Sequence, residues 1–192
     1  MNARTGAGLA VASAFFALAL TSPAAFAARP PRCLGAEHPE VPQAKPLVIA
    51  GTGLRVEVCA LPEDARGRFP SRLELRKGRA RLAAFTYDAD PTGGYVSRLG
   101  LAAKNDRFVA ISFDAAETCD DIVFFDLRLG RAAGHARCDD AKPRCRVTRL
   151  DSDRLCRAEV RCDDPNSTAA PPAQPAVFTT LNLCDPKSPP IE

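Results

Sequence analysis

The sequence contains no tryptophan, one methionine, two tyrosines and two histidines in 192 residues, and each shortage narrows what the chain can do. His38 and His135 are widely separated, and no Gly-x-Ser-x-Gly elbow accompanies them, so a serine–histidine hydrolase finds no support. Both histidines read as solvent-facing. No apolar run after Leu20 approaches the ~20 residues a membrane helix needs. No C-x-x-C pair occurs, which excludes zinc ribbons and thioredoxin-type redox motifs. Neither sign of charge dominates: 26 basic and 23 acidic residues give a net +3, and they are interspersed. Nucleic-acid binding, which relies on a concentrated basic surface, is thereby disfavoured.

What the chain does have is cysteine. Eight of them stand at Cys33, Cys59, Cys119, Cys138, Cys145, Cys156, Cys162 and Cys184, all behind a leader with the three parts of an export signal. Arg4 supplies the basic start, Leu9 to Leu20 the apolar stretch, and Ala25-Phe26-Ala27 the small-residue exit. Residues 1–27 are therefore read as a signal peptide of bacterial type, and the mature chain as periplasmic or secreted, with no membrane span left after cleavage. An even cysteine count in an oxidising compartment implies disulfides rather than thiol chemistry. Three of the ten phenylalanines fall inside the leader, so the mature core must rest on Leu, Val, Ala and half-cystines.

Residues 28–46 carry five prolines and residues 165–192 carry seven. Both read as polar tails, each stapled to the body by its own cysteine, Cys33 and Cys184; the second includes one short strand, Val177 to Leu183. Between them, over 47–164, the hydrophobic period is 2. Leu54-Arg55-Val56-Glu57-Val58 and Arg72-Leu73-Glu74-Leu75-Arg76 alternate apolar and charged side chains, the mark of strands with one wet face. A turn at Lys77-Gly78 returns the chain toward Tyr87, and Lys104-Asn105-Asp106 turns it into Phe108 to Phe113. Ile122 to Leu127 is nearly all apolar and predicts a central strand covered on both faces. Leu75-Arg76-Lys77-Gly78-Arg79-Ala80 and Leu127-Arg128-Leu129-Gly130-Arg131-Ala132 form a weak repeat. A hairpin turning at Asp151 to Arg154 sets Val147 against Ala158 and Cys145 against Val160, with Cys145 and Cys162 on one face and within bridging reach. The expected fold is all-β: a single disulfide-stabilised domain of antiparallel hairpins, as a sandwich, small barrel or partial propeller-like sheet, with proline-rich tails.

Candidate sites lie on two segments. Asp88-Ala89-Asp90-Pro91-Thr92-Gly93 spaces Asp88, Asp90 and Thr92 as oxygen ligands for calcium. Position 12 of that loop is Leu99 instead of a bidentate Glu, and the same residues make good turn chemistry. No cofactor is called for. Thr92-Gly93-Gly94-Tyr95 resembles the short Ser-Gly and Tyr loop of bacterial periplasmic lysozyme inhibitors, with Thr in place of Ser. The resemblance implies a small exported β protein whose loop enters the cleft of a cell-wall hydrolase. On the second segment, Arg72, Arg76, Arg79 and Arg81 share the wet face of the first hairpin with Glu74, a surface suited to an envelope or extracellular protein or an anionic glycan. The preferred function is non-enzymatic binding through Asp88, Asp90, Thr92, Tyr95 or these arginines. The alternatives are inhibition of a cell-wall hydrolase, or a carboxylate-based hydrolase using Asp88 and Asp90 or Asp120 and Asp121.

Overall fold

Alternation of period two builds eleven strands in the computed structural model: β1 Leu47–Ile49, β2 Leu54–Ala60, β3 Ser71–Lys77, β4 Ala80–Tyr87, β5 Leu99–Lys104, β6 Phe108–Ala116, β7 Cys119–Asp126, β8 Arg131–Ala136, β9 Arg144–Leu150, β10 Arg157–Asp163 and β11 Val177–Asn182. The structure describes residues 33–34, 44–67, 69–87, 96–116, 119–138, 144–152, 155–163 and 177–185, all within the compact unit Pro31–Glu192. No helix is present among them, and none is long and apolar enough to cross a membrane. The protein is all-β and fastened by four disulfides.

β1 to β4 form an antiparallel meander in chain order. The larger sheet runs β11-β10-β9-β7-β6-β5, with β8 also paired to β7. Every pairing is antiparallel except one: β9 meets the start of β7 in parallel at Asp120 and Arg144. β6 and β7 are central, and their two faces serve two cores. Val109, Ile111, Phe113, Val123 and Phe125 pack with Leu54, Val56, Leu73 and Leu75 of the small sheet. Phe108, Ala110, Ile122 and Phe124 pack with Ala158, Val160, Leu181 and Leu183. The β9–β11 ribbon therefore turns back over the far face, and Ile122 to Phe125 have no exposed surface. The doubly covered strand expected there is what forms.

Two glycines close the repeated turns. Gly78 between β3 and β4 and Gly130 between β7 and β8 both take positive φ, 57° and 61°, a region that carries no Cβ penalty for glycine. At Gly130 space adds to conformation, since a Cβ would stand 2.8 Å from the Leu82 carbonyl oxygen. The repeat is thus two hairpin turns, each within an antiparallel meander (β2-β3-β4 and β6-β7-β8), and the sheets are open and not propeller blades.

The disulfides join Cys33 to Cys59, Cys119 to Cys138, Cys145 to Cys162 and Cys156 to Cys184. Cys33 and Cys184 do tie the chain on either side of the body to β2 and to the β9–β10 turn. The expected Cys145–Cys162 bridge forms, although the register differs from the expected one. Cys145 lies directly opposite Cys162, Val147 opposite Val160 and Leu150 opposite Ala158. The turn is wider than Asp151 to Arg154, because Cys156 sits outside the strand at φ 47° and Asp151 N–H bonds the Arg157 carbonyl. A bulge opposite Glu159 and Val160 then restores the parity that a three-residue offset would have inverted.

Candidate functional site

The arginines of the first hairpin do not form an open basic surface. β2 and β3 place Glu57 opposite Glu74 and Arg55 opposite Arg76. Like charges directly across a sheet repel, and opposite charges two residues along the same strand and on the cross-strand diagonal offset this. Arg55 Nε reaches Glu57 at 2.6 Å, Arg76 Nε stands 3.0 Å from Glu74 and 3.4 Å from Glu57, and Arg81 Nη1 lies 3.3 Å from Glu74. Arg72 was expected on the wet face; it is only 8% exposed. β3 is flanked by β2 and β4, and the Cys33–Cys59 bridge covers Arg72, with Nη2 3.5 Å from Cys59 Sγ. Its Nε donates to Glu74 at 2.9 Å. Burial pushes the Glu74 carboxyl up, but hydrogen bonds from Arg76 and Arg81 and the charges of Arg72 and Arg76 outweigh it and hold it below the ordinary value. Arg79, in the exposed turn, has no partner among the described residues.

His135 is also displaced from its expected position. It is 1% exposed, because β8 pairs it with Val123 on the face turned toward the small sheet. Its ring lies 4.8 Å from Phe85 and 5.8 Å from Phe113, the second nearly parallel. Nε2 bonds Asp121 Oδ2 at 2.8 Å, and Asp121 Oδ1 accepts the Cys138 N–H at 2.9 Å beside the Cys119–Cys138 bridge. Asp120 and Asp121 therefore do not gather as a carboxylate pair: strand alternation sends Asp121 into the core and Asp120 to the opposite face. A second pair, half-buried Arg107 with fully buried Asp126, braces the β7–β8 turn through contacts of 2.9 and 3.1 Å. Burial raises the Asp126 carboxyl, while the Arg107 hydrogen bond and the N–H groups of Leu129 and Arg128 bring it below its ordinary value.

Polar groups converge instead where β9 leaves β7. A cleft of about 320 Å³ is lined by Arg98, Leu99, Gly100, Ser112, Phe113, Asp120 and Arg144. Asp114 fixes its rim by accepting the N–H groups of Ser97 and Arg98, each at 2.8 Å, together with the Ser97 hydroxyl. Arg98 Nη2 donates to Asp120 Oδ1 at 2.6 Å while 70% of its side chain stays exposed. That hydrogen bond, the Asp120 charge and the Asp114 charge raise the Arg98 pKa against a small opposing effect of burial. Arg144 is exposed and has no ion-pair partner among the described residues, and the Ser112 hydroxyl has no hydrogen-bond partner there. Asp163, opposite Arg144 in register, is bonded to Arg146 and Arg161. Gly100 forms part of the wall, where a Cβ would stand 2.7 Å from Ser112 Oγ.

Asp88, Asp90, Thr92 and Tyr95 lie outside the described residues, as does His38. The groupings that bring cysteine sulfur near a carboxylate, Cys33, Cys59 and Glu74, and Cys119, Asp121 and Cys138, have their sulfurs in disulfides, which removes the thiolates a metal would need. Of the lining residues, Asp120 stands out in the sequence as one of a carboxylate pair, whereas Arg98, Gly100, Ser112 and Arg144 do not. No local pattern marks these residues, since the antiparallel pairing of β5, β6 and β7 and one parallel bridge to Arg144 bring them together. No family model, curated protein or solved structure matches the chain.

Proposed function

We propose that the chain is an exported binding protein, working in the periplasm or outside the cell, that recognises an anionic group on its partner through the Arg98–Arg144 cleft. One observation carries this reading: Arg144 and Ser112 open onto a cleft beside the Arg98–Asp120 pair without partners among the described residues. The leader at 1–27 and the four disulfides support export to an oxidising compartment. Recognition suits these groups better than turnover. Arginine keeps its proton at physiological pH and cannot act as a base, and His135, the described imidazole, is shut in the core and occupied by Asp121. An envelope or extracellular protein or an anionic glycan fits as partner. The hydrolase-inhibitor reading draws on the same stretch of sequence, since Tyr95 precedes Arg98 by only three residues.

The test uses oxidised protein spanning residues 28–192, immobilised against envelope and secreted fractions, acidic glycans and purified lysozyme. Specific capture by the wild type that disappears in Arg144→Glu is the expected result. Capture that survives the charge reversal would remove the cleft from the binding surface.

A further inference from the structure

We infer that the cleft takes a sugar acid: one carboxylate with hydroxyl groups on neighbouring carbons, as in a uronic acid unit. This rests on the binding role proposed above and gives it a ligand. Charge comes first. Asp120 already compensates Arg98, so among the lining residues one guanidinium charge, that of Arg144, is left over. A single negative charge balances it, and a planar carboxylate matches the guanidinium fork with two parallel hydrogen bonds. A phosphate carrying more charge would meet Asp120 unfavourably.

Hydrogen-bond capacity comes next. A bare carboxylate only accepts, which would leave the acceptor capacity of Asp120 unused. Among the described residues only Oδ1 of Asp120 is engaged, by Arg98, and Ser112 Oγ is unengaged. Both call for hydroxyl groups on the ligand. Size agrees, since about 320 Å³ lies at the lower end of small-molecule pockets and suits one ring. The Phe113 ring is turned into the core against Tyr87 and His135, so it gives no stacking platform and polar groups must carry the selectivity. The rim is set in advance by Asp114, which lowers the ordering cost of binding. Gly100 leaves the space beside Ser112 open; any side chain there would displace the hydroxyl.

Isothermal titration of the oxidised mature protein tests this with D-galacturonate, D-galactose, propionate and inorganic phosphate. Galacturonate should bind roughly tenfold or more tightly than each of the other three, the scale expected when charged hydrogen bonds are gained together. Arg144→Ala and Gly100→Ala should each weaken galacturonate by a similar factor, with the strand signal in circular dichroism unchanged. Because Arg144 is exposed, its variant tests the site without endangering the fold. An oligogalacturonate that binds more tightly than the monomer identifies a glycan as the source, and equal binding identifies a free sugar acid. Phosphate binding as tight as galacturonate overturns the inference while leaving an anion-binding cleft in place. Galacturonate affinity unchanged in Arg144→Ala overturns it outright, and loss of partner capture in the same variant would show that the binding role itself still stands.

Discussion

Two clusters of arginine lie on this molecule and have opposite relations to their carboxylates. On the small sheet, Glu57 and Glu74 stand within 3.4 Å of Arg55, Arg72, Arg76 and Arg81 in a closed lattice. At the cleft, Asp120 engages Arg98 and leaves Arg144 open. The first cluster has more arginine and less to offer a ligand. What separates them is register: β2 and β3 bring two glutamates side by side among four guanidiniums, whereas the parallel bridge of β7 and β9 sets Asp120 beside Arg144 at a place where Arg98 already occupies it. Arginine count is therefore a poor guide to a basic site, and the position of the neighbouring carboxylates is a good one.

The contrast can be broken from the closed side with the largest effect. Glu74→Ala removes the shared acceptor of Arg72, Arg76 and Arg81 from a buried setting, and loss of one member of a buried ionic network costs about 3–5 kcal/mol; urea denaturation of the oxidised protein should show it. Acid gives a graded version. Glu74 and Asp126 titrate below their ordinary values in the folded chain, so the stability they contribute is fully present above the unfolded carboxyl pKa of about 4 and is lost as pH falls through the folded values. Melting temperature should decline below about pH 4, and Glu74→Gln should start lower at neutral pH and decline less. The smallest changes are expected at Asp120 on the open side and at Arg79, in the β3–β4 turn outside the closed lattice. Asp120→Ala and Arg79→Glu should each alter stability by less than about 1 kcal/mol, as exposed charges do. Only the first should change galacturonate affinity, and an equal loss from Arg79→Glu would merge the two clusters into one binding surface.

Much of the fold was legible because period two assigns each strand its faces, and a register shift of an even number of residues leaves the facing sets unchanged. The Cys145–Cys162 bridge followed from face assignment alone, and the bulge at Glu159 and Val160 kept that assignment valid despite a shifted turn. Ile122 to Phe125 declared a doubly covered strand by lacking polar residues. Glu74 could be seen among the arginines, but its burial could not, since that depends on β2 and β4 flanking β3 and on Cys33 reaching Cys59. His135 was misread because one imidazole in a short strand beside glycine carries no signal of which face it takes. The cleft was illegible for a topological reason. Arg98, Ser112, Asp120 and Arg144 come from four parts of the chain, and a single parallel bridge has no sequence signature.

The doubly covered strand also has a bearing on the chain before it folds. Ile122-Val123-Phe124-Phe125 is an uncharged, strongly β-forming stretch without proline or glycine, the composition that seeds intermolecular cross-β pairing when exposed. Asp120 and Asp121 stand immediately before it and Asp126 immediately after. Flanking charges of this kind act as gatekeepers against self-association. In the folded protein the same three carboxylates take up separate duties, with Asp120 at the cleft, Asp121 on His135 and Asp126 on Arg107. Neutralising all three together should therefore lower the yield of soluble protein recovered on refolding by more than the summed losses of folded stability account for.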